Sequence, residues 1–222
     1  MKLNRVYKAA GDMPEILPVF PVAGALLLPR RPIQLTVFEP RYLEMLDDAL
    51  TGERLIGMIQ PSDGDEAVET APRLCPVGCA GRIVQFAEIG DGRCFLTLMG
   101  VARFRVADER ASRKPYRKVR ADFSGFFEDF HEGAGESDVD RRSLVDALRD
   151  FAKANEFKVD WDDVEKASNE ALVNALSMMS PYGAKEKQAL LEAADLKSRA
   201  EILVAISQVE LARGADAPRQ LH

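Results

Sequence analysis

Cysteines, histidines and paired acids are the residues of this chain whose types suit chemistry, and their spacing decides whether they can act together. Cys75 and Cys79 stand in CPVGC, with three intervening residues rather than the two of a redox or zinc pair. Cys94 makes the count odd, which suits a reducing compartment and buried free thiols. The only histidines are His131, inside an acidic stretch, and His222, the last residue of the sequence. Neither is placed to act as a preorganised base, and a four-ligand zinc site is hard to assemble from them. Asp162-Asp163 and Asp138 with Asp140 read as solvated acids at helix starts, where the helix dipole favours them. G-x-S-x-G, G-x-G-x-x-G and any Gly-Lys dipeptide are absent, so there is no nucleophile elbow, dinucleotide loop or phosphate cradle. The expectation is a protein with no catalytic residues, no metal and no cofactor.

Binding chemistry has better material. Residues 103–120, RFRVADERASRKPYRKVR, hold eight Lys or Arg against Asp108 and Glu109, a local charge of +6. Arg103, Arg105, Arg117, Lys118 and Arg120, with Tyr116 interleaved, are the residues a single-stranded RNA would want, cations for phosphates and a ring for stacking. Residues 127–170 carry fourteen acids against six bases, and the whole chain has net charge -6 and pI near 5.2. Nucleic acid is therefore the weaker alternative, and the basic strands have an acidic arm of their own to meet.

The elements that must position these residues change period midway. The greasy stretch FPVAGALLLPRRPIQLTVFEPRY, residues 20–42, is too short and too often broken by proline to span a bilayer. It reads instead as soluble strands and turns. Strands are expected at Ile16–Phe20, Ile33–Phe38, Arg54–Gln60, Gly81–Ile89, Cys94–Val106 and Tyr116–Phe123, each β-branched or alternating and bounded by Pro, Gly or Asp. GDGR at 90–93 predicts a hairpin turn. One helix interrupts them, opened by Glu39-Pro40 and closed by Gly52, with Leu43, Leu46 and Leu50 on its apolar face. From Asp138 the pattern is helical. Its stripes are Leu144/Leu148/Phe151, Val164/Leu172/Ala175/Met179, Leu190/Leu191 and Ile202/Val204/Ile206/Val209. Ser180-Pro181 ends one helix, and Gly183 and Asp195 are caps for the next two.

The order of these elements, and three runs within them, resembles the amino-terminal LON domain of the Lon protease family. The runs are ILPVFPVAGALLLPRRPIQLTVFEPRY, VGCAGRIVQFAEIGDGRCFLTLMGVARFRV and LVNALSMMSPYGAKEKQALLEAADLKSRAEIL. The resemblance implies an α+β fold: a PUA-like closed β-barrel with an inserted helix over residues 1–126, a linker over 127–137, an α-helical bundle subdomain over 138–213 and a flexible tail over 214–222. It implies a cytoplasmic, non-catalytic module that binds unfolded or degron-bearing polypeptides or a partner protein, as an adaptor or regulator in protein quality control. The ATPase and protease modules of full Lon proteases have no counterpart in these residues. On that reading an apolar groove is expected at the barrel rim, built from Leu26, Leu28, Arg30, Arg31 and Phe38. A homodimer stands as an open alternative, and no membrane contact is expected.

Overall fold

The computed structural model of the protein describes residues 5–62, 72–155 and 157–216. Its strands are β1 (Ile16–Pro21), β2 (Pro32–Val37), β3 (Leu55–Pro61), β4 (Leu74–Glu88), β5 (Cys94–Arg110) and β6 (Lys118–Asp122). Its helices are α1 (Pro40–Thr51), α2 (Arg141–Ala154), α3 (Trp161–Lys166), α4 (Asn169–Met179), α5 (Ala184–Glu192) and α6 (Leu196–Asp216). The class is α+β. The strands form one mixed sheet in the order β2-β5-β4-β3-β1-β6, and β6 pairs with β5 as well as with β1. Only β1 and β3 run parallel; every other pairing is antiparallel.

Two compact units result. One comprises residues 1–132 with Tyr182–Leu191, the other Gly133–Pro181 with residues 192–222. The sheet unit is organised around Phe104, which is fully buried among Leu17, Val19, Ile59, Val119 and Phe123. Gly57 and Gly78, on the neighbouring strands, leave the room its ring occupies. The triplet Leu26-Leu27-Leu28 is also core, at 2%, 1% and 0% exposure. It is fastened by backbone bonds from Arg30 N to Gly100 O (2.8 Å) and from Gly100 N to Arg31 O (2.9 Å). Position 100 must be glycine for this approach, because a Cβ there would stand 2.0 Å from the Leu28 carbonyl oxygen.

Helix α1 begins and ends where its proline and glycine place it, with Gly52 as C-cap. Its buried face is Tyr42, Met45, Leu46 and Ala49, whereas the expected Leu43 and Leu50 are only half-buried. Tyr42 on this face lies against Phe20, with ring centroids 4.4 Å apart and the planes tilted by 57°. β4 starts seven residues before the expected Gly81. The β3–β4 register shifts between Ile59 and Pro61, and that irregularity spans Pro76, so the strand runs on through the proline. The expected hairpin turn is present, with Gly90, Asp91 and Gly92 all at positive φ.

The EKQ of helix α5 explains why that helix belongs with the sheet. Gln60 of β3, 1% exposed, donates to Gln188 Oε1 (3.1 Å) and to the Ala184 carbonyl (3.0 Å). Gln188 in turn donates to the Val77 carbonyl at 3.1 Å, and Lys187 to that of Gly24 at 2.9 Å. In the other unit α6 packs against α2 and α4, burying Leu144, Phe151, Leu172, Val173 and Leu203. The helix expected from Val164 to Met179 is two helices, with Ser168 capping α4 through the Ala171 N–H. Met179 is not in its apolar stripe but 80% exposed. Residues 133–138 are ordered by their acids: Glu136 accepts the Glu170 N–H at 2.7 Å and Glu170 accepts the Gly133 N–H at 2.9 Å. Asp195 caps α6 through Ser198 N at 2.7 Å. α6 runs three residues into the expected tail; residues 217–222, His222 among them, lie outside the described residues.

Candidate functional site

Most of the named side chains of the basic run have partners within the fold. Arg103 is 3% exposed and lies in a bidentate pair with Asp129, Nε to Oδ2 at 2.9 Å and Nη2 to Oδ1 at 2.8 Å. Its backbone N–H donates to the same carboxylate at 2.8 Å, and Nη1 to the Leu191 carbonyl at 3.1 Å. Tyr116 is buried, its hydroxyl donating to Asp48 Oδ2 at 2.6 Å, so its ring is not offered for stacking. Arg117 donates to Glu109 (2.7 Å) and to the Pro72 carbonyl (2.6 Å), and Arg120 to Asp108 (2.6 Å). Lys118 lies 5.3 Å from the Tyr116 ring centroid. Arg105 is exposed, with its guanidinium 5.6 Å from the Phe126 centroid. The sequence shows the +6 but not that Glu44, Asp48 and Asp129, from outside the run, fold onto it.

Asp48 and Glu109, with three carboxylates elsewhere in the chain, tie stability to pH. Lys114 and then Tyr116 hold Asp48 below the usual carboxylate range, and Arg117 does the same to Glu109. Ser124 lowers Asp122, Ser168 and the Glu170 N–H lower Glu136, and Ser143 lowers Asp140. A carboxylate depressed in the folded state binds fewer protons there than in the unfolded chain. Its stabilisation is present above the ordinary value of about 4 and is lost as pH falls through the folded value. Urea midpoints are therefore expected to be flat from pH 7 to 5 and to fall steadily below about pH 4. At the alkaline end burial, then Asp48, pushes the Tyr116 phenol up to about 12.

The expected apolar groove is not assembled. Leu26 and Leu28 are interior, since Leu27 between them packs where a Gly81 side chain would be. Arg30 and Arg31 are half-buried, Arg30 donating to the Asp129 carbonyl. Phe38 alone of the five is open, at 63% exposure. It stands at one corner of a different surface. Beyond Ile83, β4 pairs only with β5, and β5 only with β4 and β2, so three strands project to the 90–93 turn. Val84, Phe86 and Ile89 on this projection are 52%, 47% and 47% exposed. Leu35, Leu96 and Phe86 are directly opposite one another across the three strands, hence on one face. Four of the ten large hydrophobics exposed among the described residues belong to this one end of the sheet. The signal was in RIVQFAEI, whose alternation revealed a strand without telling which face would be left uncovered.

Cys94 is half-buried, and Cys75 and Cys79 are buried. Both lie on β4, where four residues of extended chain separate Cα atoms by about 13 Å, beyond the roughly 7 Å limit of a disulfide. Burial, then Glu88 and Asp47, pushes the Cys94 thiol up, the opposite of what a nucleophile needs. His131 is exposed, with Nδ1 3.1 Å from the Phe127 carbonyl. Among the described residues no group of three or more His, Cys, Asp or Glu is placed to hold a metal ion. No described helix is long and apolar enough to cross a membrane.

Fold and motifs together define a class. Residues 16–208 match the family model of the ATP-dependent protease La (LON) substrate-binding domain, and the chain belongs to that family. Among curated relatives, Lon protease 2 of Myxococcus xanthus is 25% identical over 202 residues, covering 87% of this chain and 23% of the relative. Lon protease 2 of Sorangium cellulosum is 28% identical over 217 residues, 90% of this chain and 25% of the relative. The chain thus spans about a quarter of the length of these proteins. In fold it is similar to the crystal structure of a Lon N-terminal domain protein from Xanthomonas campestris, with TM-score 0.60, 23% identity, and coverage of 86% of this chain and 97% of that one. The N-terminal domain of the Mycobacterium avium complex Lon protease gives TM-score 0.64 at 18% identity, covering 87% and 98%.

Proposed function

We propose that this chain is a non-catalytic polypeptide-binding module that holds apolar segments of unfolded or degron-bearing proteins, as an adaptor or regulator in cytoplasmic protein quality control. Its family supports the substrate-recognition part of this reading. The observation that carries it is the exposed apolar end of β2, β4 and β5, with Phe38, Val84, Phe86 and Ile89 uncovered. We also take the sheet as a PUA-like closed barrel, a reading supported by the pairing of β6 with both β1 and β5. The pairing of its cations makes RNA the poorer ligand for residues 103–120.

Fluorescence anisotropy with a labelled, carboxymethylated unfolded polypeptide and a labelled single-stranded RNA, each at low and high salt, tests the proposal. Binding to the polypeptide is expected to persist at high salt, because burial of apolar surface drives it. Phe38→Ser with Phe86→Ser is expected to weaken it by about tenfold, the loss of roughly 1.4 kcal/mol of contact. RNA binding that collapses with salt, with no polypeptide binding, overturns it.

A further inference from the structure

We propose that the free edge of β2 captures its ligand by backbone pairing, adding an extended, uncharged polypeptide segment to the sheet as a further strand. This rests on the polypeptide-binding reading above and names the mode and the exact edge.

β2 is terminal in the strand order, and among the described residues no strand pairs with its other side. Its orientation follows from the register. Arg31 accepts the Gly100 N–H and precedes the pair Pro32 opposite Met99. In an antiparallel pair hydrogen-bonded positions alternate, so Ile33, Leu35 and Val37 bond to β5. The N–H and C=O groups of Gln34 and Thr36, with the Pro32 carbonyl, face away from the sheet. Pro32, Gln34 and Thr36 are also the exposed side chains of the strand.

Edges of this kind are ordinarily guarded by charges, bulges or mid-strand proline. PIQLTV contains no charge, its register against β5 is unbroken over six residues, and its proline is at the first position. The unguarded edge specifies its occupant. Only an extended backbone presents donors and acceptors at a matching repeat, and such a backbone is what an unfolded protein offers whatever its sequence. Phe38 at the strand's end then adds apolar contact beside the pairing. A second copy of the chain would meet the same edge. Yet a pairing with two outward N–H groups on each side is too small for a lasting dimer, for which roughly 1,000 Å2 or more is needed.

The test uses the whole protein and a fluorescein-labelled peptide of alternating Val and Thr with Lys at both ends. Its comparison is the same peptide methylated at every backbone nitrogen of the central six residues, which keeps the side chains and removes the donors. The expected result is at least tenfold weaker binding of the methylated peptide. Gln34→Pro, which deletes an outward N–H and no bond to β5, is expected to weaken the plain peptide similarly while the thermal midpoint holds. Should Gln34→Pro unfold, the methylated peptide decides alone. Equal affinity of the two peptides, with binding still lost in the Phe38 and Phe86 variants, overturns edge pairing and leaves the polypeptide-binding reading standing. If neither the peptides nor the unfolded polypeptide binds, the reading itself fails. A concentration-dependent dimer abolished by Gln34→Pro, with no peptide affinity, overturns the proposal in favour of self-pairing.

Discussion

Asp129→Ala is expected to destabilise the sheet unit by about 3–5 kcal/mol, since it removes the bidentate carboxylate that faces the buried Arg103 guanidinium. The pair is sealed, with side chains 3% and 6% exposed and a separation of 2.8 Å. The same carboxylate also takes the Arg103 backbone N–H, which would be orphaned in the variant. Phe126 lies against the guanidinium at 4.5 Å, so water has poor access to replace the lost acceptor. With total stabilities of about 5–15 kcal/mol for domains of this kind, the loss is a large fraction of the whole. At about 2–4 °C per kcal/mol for a chain of this size, the thermal midpoint should fall by roughly 6–20 °C. Far-UV circular dichroism is the measurement to use. The single tryptophan, Trp161 on α3, is in the other unit and its fluorescence follows that unit instead. The double variant Arg103→Met with Asp129→Leu is expected to cost far less than Asp129→Ala alone, because it removes both charges together. A double variant as unstable as the single one would mean that the pair's shape, not its charge, holds the strand.

Arg103 also shows where sequence reading stops. Its alternation with Phe104 placed it correctly on a strand, but alternation says only that the two residues face opposite sides. It does not say which side is wet. Arg103 faces Asp129, 26 residues away in a stretch that reads as a flexible acidic linker, and no local rule connects them. Leu26 to Leu28 were legible as apolar, and their burial follows from one backbone approach at Gly100, a tertiary fact. What was legible was local chemistry. Pro40 and Gly52 delimit α1, DGR turns the β4–β5 hairpin, Pro181 stops α4 and Asp195 caps α6. The α5 helix itself was visible, but not its grouping with the sheet, since Gln60 and Gln188 are far apart in sequence and unremarkable singly. For the candidate site the same division holds. Phe38 was singled out, whereas Phe86 and Val84 were hidden by their resemblance to any half-buried strand.

Phe104→Ala is expected to cost about 3–5 kcal/mol, the range for emptying a buried aromatic site whose surroundings cannot collapse. Two of its neighbours are glycines, Gly57 and Gly78, which have no side chain to move into the vacated space. The ring is at 0% exposure and lies against Phe123, with centroids 5.9 Å apart and the planes tilted by 56°. The two glycines beside it separate packing from backbone geometry. A Cβ at Gly57 would meet only side chains: Phe104 Cζ at 2.9 Å, Phe104 Cε1 at 3.1 Å and Val19 Cγ1 at 3.1 Å. Gly57→Ala should therefore destabilise the native protein by about 1–3 kcal/mol through overpacking, and cost almost nothing further once Phe104 is alanine. A Cβ at Gly78 would stand 2.7 Å from Phe104 Cζ but also 2.6 Å from the Met58 carbonyl oxygen, which belongs to the paired strand. Gly78→Ala should stay damaging in both backgrounds, because backbone in a ladder cannot step aside. Urea midpoints of the three single and two double variants measure the coupling, expected within about 0.5–3 kcal/mol for Gly57 with Phe104 and much smaller for Gly78. Equal coupling for the two glycines would show that the strands shift together around the ring, and that the sheet, not the side chain, sets the spacing of this core.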